Sequence, residues 1–555
     1  TGLADSPVFS ITSNAEFGNF TVNRQSSTAV VTMVTGYPLT VLANYSLLSG
    51  EFNANSQNVT IGGNMFVANG TTYTSGNNWT TFNGSANQTI TANTASALVF
   101  KKFRMDKPAG KILNLAGAQT DFQVADSLML VSGTLNDGGK TLSLVTSATS
   151  STSYVFNSAL HLGTGKIAIA DDDPTVVDGS GSGIFKNLEL NNSDALAAPV
   201  SLRANTTISG VLTFARDKLL DISTYNLKLT STASISGYSS SRYIKTAGNA
   251  GDGGITRTYS AGSATFVYPV GINGYTPSTL TVNGTPTAWG DITVYPVEGE
   301  HPATTVKGRS LIYFWRVKSS EFTLGSATLT HRYDYLQADV VAGGDVTEDG
   351  YVAARFNTAT STWTSGNAND VDETNNIIGE PGSGSFLEGV AFIDGDYTAG
   401  DNNPTNPFGT PTTYYSRQTG LWGDVNSWST TGHSGSPAGT VPGAGDIVII
   451  GNGNTITSDQ NRSCAILKIE TGSTLDIYTY TGGNFGMVLN HPNGNGLFRV
   501  TTPKAPSNAV PKFFTFPTGD FTEFNANDGT TEYYDIDGTV GALYILPSNV
   551  TSYGN

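Results

Sequence analysis

Apolar residues along this chain fall at alternate positions in short runs, as in Thr141-Leu-Ser-Leu-Val145 and Ile292-Thr-Val-Tyr295. A period of two puts one set of side chains on a buried face and the other in solvent, so each run predicts a strand of a few residues. No window carries apolar residues at the i, i+3, i+4 and i+7 spacing of an amphipathic helix. Gly and Asn punctuate the runs, where tight corners need them. The pattern predicts an all-β protein.

The runs also repeat. Phe17-Gly-Asn-Phe20-Thr-Val22, Phe100-Lys-Lys-Phe103-Arg-Met105 and Phe185-Lys-Asn-Leu188-Glu-Leu190 share one plan, 83 residues apart (100 minus 17) and then 85 (185 minus 100). A second block follows each: Leu47-Leu-Ser-Gly-Glu-Phe52, Leu130-Val-Ser-Gly-Thr-Leu135 and Ile208-Ser-Gly-Val-Leu212. Self-similarity at a fixed period marks an architecture in which stacked units share one core. Coils of roughly 20 to 25 residues would give each repeat about four turns of a parallel β-helix. An antiparallel meander is the alternative, and strand register decides between them.

Changes of texture divide the chain further. Residues 1–247 are expected to form a β-solenoid of three ~84-residue repeats. After Gly248-Asn-Ala-Gly-Asp-Gly-Gly254, longer and more aromatic strands such as Leu311-Ile-Tyr-Phe-Trp-Arg-Val317 predict a β-sandwich over 248–400. The Pro- and Asn-rich stretch within 401–415 reads as a linker. A second solenoid-like module is expected over 416–510, and 511–555 reads as the start of a further β module that continues past Asn555.

Charged residues make up only 13% of the chain, against about 25% in ordinary soluble domains, so Ser, Thr, Asn and Gly must cover the surface. A net charge of -16 argues against a nucleic-acid partner, which needs a basic footprint. The single cysteine, Cys464, excludes an intramolecular disulfide, and its neighbours Ala465-Ile-Leu467 point to a buried, inert thiol. No run of eighteen apolar residues is present to span a membrane as a helix, and Thr1-Gly-Leu-Ala-Asp5 does not open a signal peptide.

The element Gly420-Leu-Trp-Gly-Asp424, Ser427-Trp428 and Pro442-Gly-Ala-Gly-Asp-Ile-Val-Ile-Ile450 resembles the module opening of large secreted proteins of Bacteroidota. Tyr268-Pro-Val-Gly271, Tyr313-Phe-Trp-Arg316 and the Ser-Gly repeats resemble the same group. These proteins are exported by the type IX secretion system and include gliding-motility adhesins. The resemblance implies an extracellular, outer-membrane-associated filament, held by secretion and anchoring machinery and touching a surface polysaccharide or substratum.

Chemistry-bearing motifs are sparse. The five histidines, His161, His301, His331, His433 and His491, show no metal-ligand spacing and read as loop or strand-surface residues. Gly432-His-Ser-Gly435 lacks the spacing and the helix of a nucleophile elbow, and Gly138-Gly-Lys-Thr141 reads as a turn rather than a phosphate loop. Asp171-Asp-Asp-Pro-Thr-Val-Val-Asp178 and Asp394-Gly-Asp-Tyr-Thr-Ala-Gly-Asp401 concentrate carboxylates as a structural calcium ion requires, although solvated corners are the simpler reading. Lys101, Lys102, Arg104, Lys107 and Lys111 form the densest basic cluster, either facing an anionic glycan or standing outward on a strand to oppose aggregation. Arg203 and Arg216 are generic candidates for a β-helix lyase, Trp289 and Trp363 for a carbohydrate contact, and Asp126-Ser-Leu128 for O-glycosylation.

No catalytic residue, cofactor-binding residue or metal ligand is assigned. The expectation is a non-enzymatic adhesin or filament segment, with a secreted β-helix polysaccharide lyase or hydrolase and a passive stalk or surface-layer component as its rivals.

Overall fold

The computed structural model describes residues 8–14, 16–24, 29–145, 152–170, 174–192, 199–262, 265–367, 370–379, 384–478, 492–501, 512–513, 516–517, 519, 521–535 and 543–546. The protein is all-β: a β-solenoid with additional smaller sheets, and among the described residues one α-helix, Thr522–Ala526. Two compact units are present, residues 1–245 with 255–260, and residues 246–254 with 261–555.

In the first unit, the first coils each contribute one strand to each of three parallel faces. Val8–Ile11, Val30–Met33, Glu51–Asn53 and Thr72–Thr74 stack as the first face. Glu16–Phe17, Leu39–Val41, Val59–Ile61 and Trp79–Phe82 form the second. Phe20–Asn23, Tyr45–Ser49, Met65–Val67 and Gln88–Ala92 form the third. Coil length varies: Tyr45 lies opposite Met65, 20 residues on (65 minus 45), and Thr134 opposite Leu160, 26 on (160 minus 134). Register thus selects the solenoid over the meander.

The first face is a four-stranded sheet ending at Thr72–Thr74, and the second continues into two long strands, Leu98–Asp106 and Asp121–Ser132, whose pairing shifts register between Phe100 and Lys102. The ladder then divides, one half leading to Thr141–Leu144 and the other to Ser153–Asn157. Inward positions form continuous columns. Phe20, Tyr45, Met65, Ile90 and Leu115 stack in register and are at most 9% exposed. Each such side chain removed from water contributes about 1.5–3 kcal/mol.

The ~84-residue copies occupy different places in this stack. Phe17 lies on the second face and Phe20 on the third, while Phe100 and Phe103 share one long strand. Phe185 lies on the third face, and Leu188 on the stack that begins with Thr141–Leu144. What the copies share is the corner. Gly133 turns the chain at φ +84°, and a Cβ there would sit 2.5 Å from Lys107 Cβ. At Gly210 a Cβ would meet the Lys186 carbonyl oxygen of the preceding coil at 2.4 Å. Only glycine lets successive coils approach this closely.

In the second unit, Thr265–Tyr268, Ser278–Asn283, Thr328–Asp334, Ile377–Ile378 and Val371–Asp372 make one antiparallel sheet. Asp291–Glu298, Tyr313–Ser320, Gly395–Asp401, Tyr351–Asn357 and Thr362–Ser365 are antiparallel neighbours in another. Aromatic rings join the two: Trp315 lies 5.1 Å from Tyr333, which stacks on Tyr397 at 5.0 Å.

The predicted linker is docked. Phe408 is buried against Val352, Ala354 and Trp363, and the Thr305 amide donates to Pro407 O at 2.8 Å. Beyond it, Thr413–Ser416, Ile447–Ile450, Ile466–Ile469 and Pro492–Asn493 stack in parallel, as do Gly420–Leu421, Thr455–Thr457, Thr474–Ile477, Leu497–Thr501 and Thr530–Tyr534. This stack therefore runs past residue 510. Part of Phe513-Phe-Thr-Phe516 and the terminus from residue 547 lie outside the described residues.

The corner contacts lead to a stability prediction. Gly210→Ala is expected to cost about 2–3 kcal/mol, because backbone must move to admit the methyl group. Gly18→Ala, where a Cβ meets nothing within 4 Å, should stay within about 0.5 kcal/mol of the parent. Thermal unfolding of the two variants side by side checks the difference.

Candidate functional site

The element Gly420 to Asp424 with Ser427, Trp428 and Pro442 to Ile450 is built for packing. Trp422 and Trp428 are both fully buried, meet edge to face at 5.3 Å, and donate to Pro442 O (3.2 Å) and Trp422 O (2.7 Å). The Asp424 carboxylate accepts from the Asn426 amide, and Asp446 from the Gly443 amide. Asp424 and Asp446 thus serve the element's own corners.

Histidine placement departs from expectation. His161, His301 and His331 are fully buried, and only His433 among the described four is half-exposed. His491 lies outside the described residues. His161 follows Gln88, Leu113 and Leu135 in an inward column, so the register turns it in and leaves Leu162 exposed. Its Nε2 meets Asp137 Oδ2 at 2.9 Å, and its Nδ1 accepts from the Lys186 amide. Burial alone would raise the Asp137 carboxyl, but the His161 hydrogen bond and the Gly139 and Gly165 amides outweigh it and hold it low.

A second buried cluster lies in the second unit. Arg316 grips Asp396 with both Nε and Nη2 at 2.7 Å, and His301 Nε2 meets the same carboxylate at 2.9 Å. Phe314, Phe356 and Trp363 ring His301, so nothing reaches the carboxylate from solvent. This accounts for Asp394–Asp401, the proposed calcium segment. It is a buried strand over Gly395–Asp401, with Asp396 on Arg316 and Asp401 on Arg309 at 3.3 Å. Of the other segment, Asp171 to Asp173 lie outside the described residues, and Asp178 accepts from the Tyr154 hydroxyl and the Gly179 amide. No cluster of three or more metal-ligating side chains occurs among the described residues.

The remaining motifs resolve similarly. Gly138 and Gly139 both take positive φ in a turn, and the Lys140 amine donates to Gly117 O. Ser416, His433 and Glu470 come together although sequence reasoning did not pair them. The order is unproductive: Ser416 Oγ donates to Gly451 O and accepts from the Gly451 amide, while His433 Nδ1 lies 2.7 Å from Ser416 O. Cys464 is buried, and burial pushes its thiol far above the ordinary range. Trp363 donates to Ala303 O within the core, and Trp289 packs on Phe322 at 6.0 Å. Arg203 is exposed, and Arg216 donates to Asn191 Oδ1.

The basic cluster separates. Lys107 points inward, 1% exposed, and its Nζ donates to Gly84 O, Ala86 O and Gln88 Oε1 at 2.6–2.7 Å. Burial, with Lys111 nearby, lowers its pKa to about 8. Lys102 and Arg104 remain on the outer surface, paired with Asp126 at 3.8 Å and Asp106 at 2.7 Å. Ser127 beside them donates to Asp126 Oδ1.

A cleft of about 490 Å³ in the second unit escaped the sequence reading. Val297, Phe314, Pro302, Ala444 and Ser463 line it, with Glu298, Glu300 and Lys307 as its charged groups. The Lys307 amine is taken by His301 O, Pro302 O and Thr304 Oγ1, and Glu300 by the Gly308 amide and Ser310 Oγ. Its walls come from segments distant in sequence, so no local motif could announce it. Comparison with protein-family models, with curated proteins and with solved structures finds no match for this chain.

Two expectations concern stability. Arg316→Ala leaves Asp396 without its guanidinium partner in a dry core and should destabilise the second unit by about 3–5 kcal/mol, read by urea denaturation. The other is pH-dependent. Burial, reinforced by Arg355 and only partly offset by the Phe392 carbonyl, lowers His331 to about 3, so its contribution is complete above about pH 6.5 and is lost as pH falls toward 3. Burial raises Asp252 to about 7 despite the Asn249 and Gly248 amides, so its contribution is complete below about pH 4 and is lost as pH rises toward 7. The two slopes oppose each other. His331→Gln should make the second unit lose stability from pH 4 to 6.5, and Asp252→Asn should make it gain, as urea midpoints across that range would report.

Proposed function

We propose that this chain is a segment of an extracellular, repetitive cell-surface adhesin or filament, non-catalytic and engaged with a surface or glycan. In this reading the parallel stacks are β-helix segments and the antiparallel sheets between them in sequence form a β-sandwich. Secretion and outer-membrane anchoring machinery of the type IX kind, as in gliding-motility adhesins of Bacteroidota, would hold it at the cell surface.

One observation carries the reading: the stacking of coils, with many outward positions given to small hydroxyl and amide side chains. Thr40, Thr60 and Thr81 stand in register on the second face, and Asn114 and Asn136 on the third. Shared ladder hydrogen bonds and a shared core stiffen such a stack, and repeated weak contacts along it sum by avidity. The buried ion pairs support the same view, since they tie ionisable groups to the frame.

The test immobilises the chain on beads and measures retention on polysaccharide-coated and bare surfaces. Retention without release of reducing or unsaturated sugar ends is the expected result. Sugar release would replace the adhesive reading with the lyase or hydrolase one, and ordered self-assembly without retention would replace it with the passive stalk.

A further inference from the structure

The second face of the solenoid carries an outward stripe unlike its other outward positions. Over four successive coils, Thr80, Phe103, Leu128 and Val155 point inward in register and are at most 1% exposed. Alternation then sends their neighbours out in two columns. One runs Trp79, Lys102, Ser127, Tyr154, and the other Thr81, Arg104, Met129, Phe156. Trp79, Met129, Tyr154 and Phe156 are partly exposed, whereas Thr40 and Thr60 stand in line before them, and buried Val176 and half-buried Asp178 in line after them. Large apolar side chains left partly exposed on the outside of a strand lower solubility, so their grouping suits a partner.

The charges identify the partner's chemistry. Each charged group on the stripe already has a counterion: Lys102 with Asp126, and Arg104 with Asp106. Lys102 also lies over the Trp79 ring at 5.9 Å, and the Tyr154 hydroxyl donates to Asp178 at 2.9 Å. A charge-balanced strip offers no net attraction to a polyanion. It offers aromatic and thioether faces for the C–H side of a ring, flanked by fixed donors and acceptors for hydroxyl groups. Parallel strands rise about 4.8 Å per coil, so four coils present about 15 Å of this surface in steps comparable to one pyranose unit.

We infer that this stripe binds an uncharged polysaccharide chain lying across successive coils, with Trp79, Tyr154, Phe156 and Met129 as the stacking surface and Lys102 and Arg104 as hydrogen-bond donors. The inference deepens the surface-contact reading above and rests on it.

Affinity electrophoresis of the full chain through gels containing hydroxyethylcellulose, starch, mannan or, as charged comparator, polygalacturonate tests it. At least one uncharged polymer should retard the parent chain. A Trp79→Thr/Tyr154→Thr double variant, which keeps strand-compatible residues, should lose at least about tenfold in affinity. Thr21→Ala on the third face should bind like the parent. If the double variant unfolds early, Tyr154→Thr alone carries the comparison, with a loss expected there too. Equal retardation of parent and variants, no retardation by any uncharged polymer, or retardation by polygalacturonate alone would overturn the inference. Surface retention of the beads that ignores these substitutions would overturn it while leaving the adhesive reading standing. Stripe-dependent retardation without surface retention would do the reverse.

Discussion

The backbone ladder between coils is the constraint on which the rest of this protein depends. Each strand must satisfy its amides and carbonyls with the coil before and the coil after, so strand residues of the first unit acquire fixed neighbours from 20 positions away (Tyr45 and Met65) to 27 (Ser127 and Tyr154). Tyr45 cannot choose its company; register gives it Phe20 on one side and Met65 on the other. Columns of like side chains follow, and with them a core that runs the length of the stack. The same ladder sets the corners, since a carbonyl of the preceding coil lies where a side chain at Gly210 would begin.

Gln88, Lys107 and His161 enter the interior with partners, because an unpaired buried charge costs several kcal/mol and an unpaired amide costs less but still destabilises. Gln88 reaches Ile61 O and Gly63 O, and Lys107 closes the same corner from the next coil. His161 is matched by Asp137 one coil earlier. In the antiparallel sheets Arg316, Asp396 and His301 solve the same problem across strands. These groups resemble catalytic clusters in composition but differ in access. All three of the latter are at most 1% exposed, and they bond to one another and to the backbone of Ala250 and Ala303.

What remains for recognition is the outside of the faces, which the ladder leaves free to vary. Most of it carries Thr, Ser and Asn, which suits a chain with 13% charged residues. Against that background a cluster of rings and paired charges over four coils stands apart, and the physical basis is simple: outward positions owe nothing to the core, so their chemistry is available for a partner.

Alternation along the sequence was sufficient to determine the all-β character, because a period of two gives a strand one buried and one outward face, and the ~84-residue repeat pointed to stacked units. Burial of Cys464 and the turn at Gly138-Gly139 were legible for similarly local reasons. Register was not. It decided that the ~84-residue copies fall on different faces, that His161 turns inward while Leu162 turns out, and that Lys107 leaves the basic cluster for the core. It also decided that Asp396 and Asp401 answer arginines distant in sequence rather than a cation. Those outcomes depend on which coil lies above and which below, and that information is carried by contacts between residues far apart in the chain, where no local pattern can record it.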